Sequence, residues 1–486
     1  MQRTEGTRSI WRQVIKTERM DSHRLRCAIV FLASSIIASS SYAQQQTIEA
    51  KIQDVMRVEN IGALAFGIVD KQKTLTQKTY GHYSTDKLRA IDLDSIFRIG
   101  SISKTFTALS ALLLEQRSAF QLSTPVREYL NPPPYNNLWS DTDPITTAML
   151  IEHTAGFKDL SKEEFDQTGP MSLADAFKIA PNSRTTVWRP GLHSSYSNSG
   201  AGITSAVIES VSGLSFIQFV DKHVFTPLKL HSATFNPPED AERLLVRGYD
   251  SDGKTPIPYW HQIYPAFGSL NASTRDMLKF TRILLNDGEF DGQQLIPREL
   301  VFRMTAVTTG LAAKHGLSYG YGKGLYAFQR KGVGFHGHGG DADGYLAFLA
   351  FSRELERGYY IVFNSYNPAA MRALRKIIEN HLTKNTQPNP PQRYIMTDAE
   401  RNAVTGDYAP VTHRFGDSPS NNSMEVFTNA ENDLFTRINN GKARLLIPVA
   451  KGKFRRREHS IATIALVDYA SMTFLQGDFG NFQKQR

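Results

Sequence analysis

The sequence is poor in cysteine and in unbalanced charge. Of its 486 residues, Cys27 is the single cysteine, so the chain cannot form an internal disulfide. That excludes a small fold stabilised by disulfides. The chain has 56 basic and 47 acidic residues, a net charge of +9, which over this length argues against a nucleic-acid-binding protein. Its one basic cluster, residues 451–457, is interpreted as a solvated face or a strand edge.

The first 43 residues have the pattern of a secretory signal peptide. Basic Arg24 and Arg26 precede an apolar run over 27–33, and the small-x-Ala tripeptide Ser41-Tyr42-Ala43 ends the segment. The run is too short for a dependable membrane span. Cleavage after Ala43 would remove the cysteine, so we expect a periplasmic or secreted bacterial protein without a stable membrane anchor.

Length and pattern predict two domains behind the signal peptide, because 486 residues exceed one ordinary core. The first would cover residues 44–385. Residues 386–393 are rich in proline and predict a linker. Residues 394–486 contain short alternating segments separated by turn residues, which predicts a small antiparallel barrel or sandwich.

Periodicity within residues 44–385 predicts both helices and strands. The predicted helices cover 47–59, a segment behind Ser101, 145–152, 203–211, 274–285 and 371–382. The predicted strands cover 61–69 and 74–80, joined as a hairpin, and 346–351 and 359–364.

Ser101 and Lys104 form the first candidate site. Apolar residues recur at helical spacing behind Ser101, which places the serine in the first turn of a buried helix and Lys104 on the same face. A serine hydroxyl needs a base to become a nucleophile, and a helix N-terminus favours negative charge on it. Because Ser-x-x-Lys also arises by chance, an N-capping serine beside a surface lysine is the alternative interpretation.

Tyr196 and Asn198 lie on a polar loop just before an apolar helix. Two residues apart on such a loop, both side chains can point into one cleft. A nearby cation favours the charged form of a phenol, so Tyr196 beside Lys104 would act as a base with a depressed pKa. Asn198 could hold the lysine or a substrate carbonyl. A loop tyrosine that only packs its ring is the alternative.

A glycine-rich stretch around His338-Gly339-Gly340 is the third candidate, because glycines let the backbone approach a ligand closely. His336 and His338, with the nearby acids Asp341 and Asp343, could also be read as a metal cluster. We expect no metal there, since no further spaced ligand is present and a strand alternates its faces.

Taken in chain order, Ser101-x-x-Lys104, Tyr196-Ser197-Asn198 and His338-Gly339-Gly340 resemble the three motifs of the serine β-lactamase and penicillin-binding-protein superfamily. The nearest branch is that of class C β-lactamases with related esterases, D-aminopeptidases and D,D-carboxypeptidases. The resemblance implies an α/β fold, with an antiparallel sheet flanked by helices, an all-helical lobe, and Ser101 in the cleft between them. The tail from 394 resembles the small β domain appended to many such proteins.

The resemblance also implies roles for the matching residues. Ser101 would be the acylated nucleophile, Lys104 its partner, and Tyr196 the proton shuttle for acylation and deacylation. Asn198 would bind a substrate amide and the lysine. No metal or cofactor is implied.

The third motif would complete the oxyanion hole, which uses the backbone N–H groups of Ser101 and of Asp341, the residue after Gly340. β-Lactamases of this class usually have Lys-Thr-Gly where this chain has His338-Gly339-Gly340. Without that lysine and threonine, a substrate carboxylate loses its partners. Neutral esters, or peptides recognised at another group, therefore become the expected substrates.

We expect an exported serine hydrolase that acts through an acyl-serine intermediate on esters or amides, and that is more esterase- or peptidase-like than a penicillinase. Its partner would be a small-molecule ester, peptide or β-lactam-like substrate, and no nucleic acid. The alternatives are a true β-lactamase or D,D-carboxypeptidase, a non-catalytic penicillin- or muropeptide-binding receptor of this fold, and a structural cell-wall protein. The sequence leaves the oligomeric state open.

Overall fold

The computed structural model describes residues 47–86, 88–238, 240–415 and 422–485. The signal peptide predicted for residues 1–43 lies outside these residues. As the sequence predicts, helices combine with an antiparallel sheet, and an all-β domain follows at the C-terminus. We call residues 52–385 the main domain and residues 398–485 the barrel domain.

The helices and strands are numbered in chain order. The helices are α1 (Ile48–Val58), α2 (Ser103–Arg117), α3 (Thr147–Ile151), α4 (Leu173–Ala176), α5 (Ser199–Ser212), α6 (Phe216–Val220), α7 (Thr226–Leu228), α8 (Ala241–Leu244), α9 (Pro265–Gly268), α10 (Thr274–Leu285), α11 (Arg298–Thr305), α12 (Leu311–Lys314), α13 (Pro368–Leu382) and α14 (Asp398–Val404). The strands of the main domain are β1 (Ala63–Asp70), β2 (Thr74–Gly81), β3 (Ile96–Arg98), β4 (Asn271–Ser273), β5 (Glu289–Phe290), β6 (Gln293–Gln294), β7 (Tyr326–Arg330), β8 (Val333–Ala342), β9 (Tyr345–Ser352) and β10 (Arg357–Phe363).

The main sheet has the strand order β2-β1-β10-β9-β8-β7, with antiparallel neighbours. Helices cover both of its faces. A Cβ added at Gly358 of β10 would lie 2.7 Å from Thr281 of α10, whereas the next residue, Tyr359, donates a 2.7 Å hydrogen bond to Glu379 of α13. Successive strand residues point to opposite faces, so α10 and α13 lie on opposite sides. Because helices cover both faces of the sheet, β9 is buried along its whole length and its sequence is a continuous apolar run.

The far end of β8 forms an open strand edge near Ser101. β7 pairs with β8 from Arg330↔Val333 to Tyr326↔Gly337, and β8 then continues to Ala342. The 3-10 turn Gly100–Ile102, which carries Ser101, packs against β8. At an open edge the backbone N–H groups of a strand are not paired with a neighbouring strand. This edge of β8 can therefore present backbone N–H groups to a ligand near Ser101.

Helix α2 is the buried helix that the sequence predicts behind Ser101. Its first twelve residues are all buried. Phe106 stacks on Phe280 of α10 with ring centroids 4.3 Å apart, and α2 also contacts α5 and α9. Because helix packing fixes α2 on several sides, the side chains at its N-terminus are held in place.

The barrel domain is a closed eight-stranded antiparallel barrel in which neighbours in sequence are neighbours in space, and β18 pairs with β11. Its strands are β11 (Gly406–Pro410), β12 (Met424–Thr428), β13 (Leu434–Ile438), β14 (Arg444–Ala450), β15 (Lys453–Arg455), β16 (Ile464–Tyr469), β17 (Met472–Gly477) and β18 (Gly480–Lys484). Closure removes the sheet edges, which would otherwise be open to unwanted pairing. Of the two predicted architectures, the barrel is therefore the one formed.

The basic cluster at 451–457 contributes β15 and is not a solvated face throughout. Arg455 and Arg456 are buried. Arg456 donates a 2.7 Å hydrogen bond to the Thr436 hydroxyl, and Arg455 donates to backbone carbonyls of the following turn. The interpretation as a solvated face is wrong for these two residues, because their guanidinium groups hold the barrel end together.

The two domains share an apolar contact. Leu192, Leu311 and Leu317 of the main domain form one buried cluster with residues of β16 and β17. Polar contacts surround it, among them a 3.0 Å hydrogen bond from the Gln476 amide to the Leu192 carbonyl. The boundaries at 385 and 394 remain predictions.

We expect residues 44–393 to fold without the barrel domain, because the barrel has a separate core cluster of its own. The three leucines of the shared cluster would then be exposed, and the truncated protein should bind a hydrophobic dye more strongly than the full chain does. Circular dichroism measures whether the truncated protein folds, and dye fluorescence measures how much dye it binds. An insoluble truncated protein beside a soluble full-length chain would show that the barrel completes the fold of the main domain.

Candidate active site

Ser101 is presented by a sharp change in chain direction after β3. Gly100 has φ +52°, and a Cβ at this position would lie 2.4 Å from the Asp341 carbonyl oxygen. A side chain there would push the turn away from β8. The Ser103 hydroxyl fastens the turn by donating a 2.6 Å hydrogen bond to the Gly100 carbonyl. Ser101 thus lies at the N-terminus of α2, next to the open edge of β8.

Lys104 lies one turn further and faces Ser101, as predicted from the spacing. Its Nζ is 3.0 Å from Ser101 Oγ and donates a 2.8 Å hydrogen bond to the Phe267 carbonyl. The residue is only 4% exposed. Burial holds the pKa of Lys104 well below its ordinary value, with a contribution from the positive charge of Arg414, although the Asp159 carboxylate opposes both. The surface-lysine alternative is therefore excluded, and burial favours the neutral form of the amine beside the serine hydroxyl.

Tyr196 also lies at Ser101, and its hydroxyl shares a hydrogen bond with the Ser101 side chain. Its ring centroid is 4.9 Å from Lys104 Nζ. The expectation of a depressed pKa is wrong: burial raises the pKa of Tyr196 well above its ordinary value and outweighs the opposing effects of Ser101 and Arg414. Burial therefore keeps Tyr196 as a neutral phenol that retains its proton, and it favours the unprotonated amine of Lys104 as the proton acceptor.

Asn198 lines the same cleft but does not hold the lysine. Its Nδ2 donates a 3.3 Å hydrogen bond to Asp159 Oδ2, and its backbone N–H donates to Asp159 Oδ1 over 2.8 Å. Its Oδ1 is buried and has no hydrogen-bond partner within the described ranges. A buried oxygen without a donor is costly unless a ligand supplies one, which fits the substrate-amide role better than the lysine-ligand role.

Gly340 and Asp341 bring β8 against the serine turn. A Cβ at Gly340 would lie 1.8 Å from the Ile99 carbonyl oxygen, so the approach requires glycine. The backbone of Asp341 consequently lies beside Gly100 and Ser101. Burial, reinforced by the charge of Asp343, raises the pKa of the Asp341 carboxyl to about 6. The geometry supports the predicted use of this backbone in an oxyanion hole and adds a carboxyl group with an altered pKa to the cleft.

His338 is held as a neutral imidazole. Its Nδ1 is 2.5 Å from the Gly339 carbonyl oxygen and must donate to it, so its Nε2 accepts a hydrogen bond from the Tyr321 hydroxyl. Burial lowers the pKa of His338 to about 3, and the neighbouring Lys104 contributes. The nearby acids Asp341 and Asp343 are not among the causes of this shift in the pKa of His338. Position 338 therefore supplies no cation.

Sequence reasoning missed two residues of the site, Asp159 and Arg414. Asp159 is buried beneath Asn198, and Arg414 of the barrel domain donates a 2.5 Å hydrogen bond from Nε to Asp159 Oδ2. The Arg414 guanidinium carbon is 4.7 Å from the Tyr196 ring centroid. Asp159 follows closely on the predicted helix 145–152, which could have drawn notice to it. Nothing in the sequence pointed to Arg414.

These groups surround a cleft of about 600 Å³. Its lining includes Ser101, Tyr196, Asn198, Phe267, Tyr326, His338, Gly340, Asp341, Phe348, Arg372, Arg375 and Arg414. Within the part of the chain that the structure describes, no group of three or more His, Cys, Asp or Glu side chains could hold a metal ion. The chemistry that the cleft offers is a serine nucleophile, an amine base and a phenol acid in mutual contact.

Burial of neutral His338 should make the fold sensitive to acid. The folded-state pKa is about 3, below the unfolded value of about 6.5, so the unfolded chain takes up the proton first as pH falls. The stabilisation is complete above pH 6.5 and is lost towards pH 3. We expect His338→Gln to reduce the pH dependence of the free energy of unfolding by about 1.4 kcal/mol per pH unit between pH 6 and 4. Urea titrations at several pH values measure this pH dependence of the free energy of unfolding.

The exposed His381 on α13 provides the matched control. His381→Gln should leave the pH dependence as it is in the unmodified protein. An equal effect of the two substitutions would contradict the assignment of a buried, neutral imidazole to position 338.

The chain is similar in sequence to known proteins. A family model described as Beta-lactamase matches residues 48–382. A beta-lactamase of Pseudomonas fluorescens is 26% identical over 296 residues, which cover 59% of this chain and 76% of that protein. PbpX of Bacillus subtilis (strain 168), provisionally named as a penicillin-binding protein, is 27% identical over 298 residues, 60% of this chain and 70% of that protein.

A solved structure is similar over more of the chain. The octameric penicillin-binding protein homologue from Pyrococcus abyssi has a TM-score of 0.59 and 21% identity to this chain, and the match covers 90% of this chain and 99% of that one. At this identity the likeness concerns the fold alone.

Proposed function

The chain belongs to the beta-lactamase family, and on that premise we propose that it is an exported serine hydrolase that acts on esters or amides through an acyl-serine intermediate. The observation that carries the proposal is the 3.0 Å approach of Lys104 Nζ to Ser101 Oγ, made by an amine whose pKa is well below the ordinary value. A neutral amine can accept the serine proton, which an ammonium group cannot. Export is supported by the signal-peptide pattern of residues 1–43.

In the proposed acylation step, Ser101 Oγ attacks the substrate carbonyl carbon and its proton passes to Lys104. Tyr196, protonated and hydrogen-bonded to Ser101, gives a proton to the leaving group as the bond to the carbonyl carbon breaks. The phenol then regains a proton from Lys104, directly or along the hydrogen bonds of the site. This returns the amine to its neutral form and leaves the acyl group on Ser101.

Deacylation repeats these steps with water in place of the serine hydroxyl. Water attacks the acyl carbon, one proton passes to the basic group of the site, and Ser101 Oγ recovers a proton as the acid departs. In both steps the negative charge on the carbonyl oxygen would be stabilised by the backbone N–H groups of Ser101 and Asp341. The close approach of Gly100 and Gly340 to neighbouring backbone supports this role.

The site favours esterase or peptidase activity over penicillinase activity. Where β-lactamases of class C usually carry the lysine of Lys-Thr-Gly, the neutral, buried His338 offers no charge to a substrate carboxylate. The names of the similar proteins keep a true β-lactamase as the second candidate. Turnover of nitrocefin compared with p-nitrophenyl esters separates the two.

Removing either proton-transfer group should lower turnover strongly. We expect Lys104→Ala and Tyr196→Phe each to reduce kcat/KM for p-nitrophenyl butyrate by a factor on the order of 100 or more, the usual scale for positioned acid–base groups. Because the two groups share one proton path, the double variant should lose far less than the product of the single losses.

Ser101→Ala sets the background in the same assay. If Ser101→Ala retains the full activity, Ser101 is not the nucleophile and the proposed function is wrong. Additive losses on the logarithmic scale would instead mean that Lys104 and Tyr196 act in separate proton transfers.

A further inference from the structure

His153 is a buried histidine that the proposed mechanism does not use. Its backbone has φ +58°, which is uncommon for a residue other than glycine, and the residue is only 4% exposed. Its Nε2 is buried and has no hydrogen-bond partner among the residues that the structure describes. A strained backbone and an unpaired buried nitrogen both cost stability. A residue that combines the two so close to a site is a candidate for a role in that site.

His153 contacts the Tyr196 segment in three ways. The Ser195 backbone N–H donates a 2.8 Å hydrogen bond to the His153 carbonyl, and the Ser197 backbone N–H donates to His153 Nδ1 over 3.2 Å. The imidazole also lies against the Tyr196 ring, with centroids 4.3 Å apart and planes inclined by 33°. Residues 193–197 belong to no helix or strand, so these contacts take the place of regular backbone pairing around Tyr196.

The contact with Ser197 defines which nitrogen of His153 carries the proton. A backbone N–H can only donate, so Nδ1 is the acceptor and is unprotonated. Burial lowers the pKa of His153 well below its ordinary value, and the nearby charge of Lys104 adds to this effect. Burial thus favours a neutral imidazole with its proton on Nε2.

The residue before His153 anchors this arrangement. The Glu152 carboxylate is buried, pairs with Lys323 Nζ over 2.5 Å, and accepts 2.8 Å hydrogen bonds from the backbone N–H groups of Thr308 and Thr309. Both carboxylate oxygens are therefore fixed by another part of the main domain. A side chain can position a catalytic group only when its own support is rigid, and Glu152 provides that support for His153.

We propose that His153 is a positioning residue that holds the Tyr196 hydroxyl in line with Ser101, through the Ser197 N–H and the ring contact. The inference rests on the proposed function, in which Tyr196 gives a proton to the leaving group. A displaced phenol transfers its proton more slowly while the substrate still binds, so His153 affects kcat rather than KM. Asn, Asp and His are the side chains most often found at positive φ, and of these only His offers both a ring and an acceptor.

Two substitutions separate the acceptor from the ring. His153→Phe keeps a flat ring but removes the acceptor for the Ser197 N–H, and we expect kcat for p-nitrophenyl butyrate to fall by roughly tenfold or more with little change in KM. His153→Asn keeps an acceptor at the equivalent position and tolerates the positive φ, so it should retain more activity than His153→Phe. Urea titrations give the free energy of unfolding of each variant alongside.

A double variant shows whether His153 acts through Tyr196. If it does, His153→Phe should cost little further kcat in a protein that already carries Tyr196→Phe, because no hydroxyl is left to be misplaced. A purely structural role predicts that the two losses multiply instead. Ser101→Ala gives the background above which the residual activity is measured.

His193, three residues before Tyr196, is the matched control. It is buried, its Nδ1 accepts a 2.9 Å hydrogen bond from the Gln476 amide, and its ring packs against Phe474. These are the same two kinds of contact, made to the barrel domain instead of to the Tyr196 segment. His193→Phe should therefore lower the free energy of unfolding but leave kcat as it is in the unmodified protein.

A spectroscopic test of the arrangement does not depend on activity. The 15N chemical shifts of a labelled imidazole distinguish a protonated ring nitrogen from an unprotonated one, and the His153→Asn variant identifies the resonances of His153. We expect an unprotonated Nδ1 and a protonated Nε2 in the full-length protein. A proton on Nδ1 would contradict the inference, because His153 could not then accept from Ser197.

The outcomes separate this inference from the proposed function. Equal losses of kcat in His153→Phe and His193→Phe, or an undiminished loss in the Tyr196→Phe background, would show that His153 serves only the fold. Hydrolysis that depends on Ser101 would leave the proposed function intact in that case. Absence of any Ser101-dependent hydrolysis would count against the proposed function itself, while the imidazole shifts would still test the contact between His153 and Ser197.

Discussion

The structure depends on one electrostatic constraint: the amine of Lys104 is kept out of water within 3.0 Å of the Ser101 hydroxyl. Water would stabilise the ammonium form, so the amine becomes a base only while packing excludes solvent. The buried helix α2, its stack on α10 and the carbonyl of Phe267 provide that exclusion. Gly100 and Gly340 then let β8 approach closely enough to close the other side of the serine.

Much of the fold and the core of the site could be predicted from the sequence, because both depend on local spacing. Apolar periodicity indicated α2, and a separation of three residues brought Lys104 to Ser101. The pKa of Tyr196 was predicted in the wrong direction. The sequence indicates that a cation, Lys104, lies near Tyr196, but it does not show how deeply the phenol is buried, and burial has the larger effect on the pKa. Arg414 could not be predicted, because it meets Asp159 across 255 positions of the chain.

The site and the barrel domain are connected through charge. Burial within a cluster of aromatic rings keeps His338 neutral, although the hydrogen bond to the Gly339 carbonyl opposes this by raising its pKa. Positive charge at the cleft comes instead from Arg372, Arg375 and Arg414, and the buried Asp159 fixes Arg414 in place. Because Asp159 also holds Asn198, one carboxylate connects the Asn198 amide of the main domain with a guanidinium group of the barrel domain.

The most direct test of the account is the pKa of Lys104 itself. The ε-carbon resonances of the full-length protein labelled with 13C-lysine can be followed by NMR as pH is varied, and the Lys104→Arg variant identifies the resonance of interest. The account predicts that Lys104 titrates well below the ordinary lysine value of 10.5 and is neutral where the protein is active. Titration of Lys104 at the ordinary lysine value of 10.5 would contradict it.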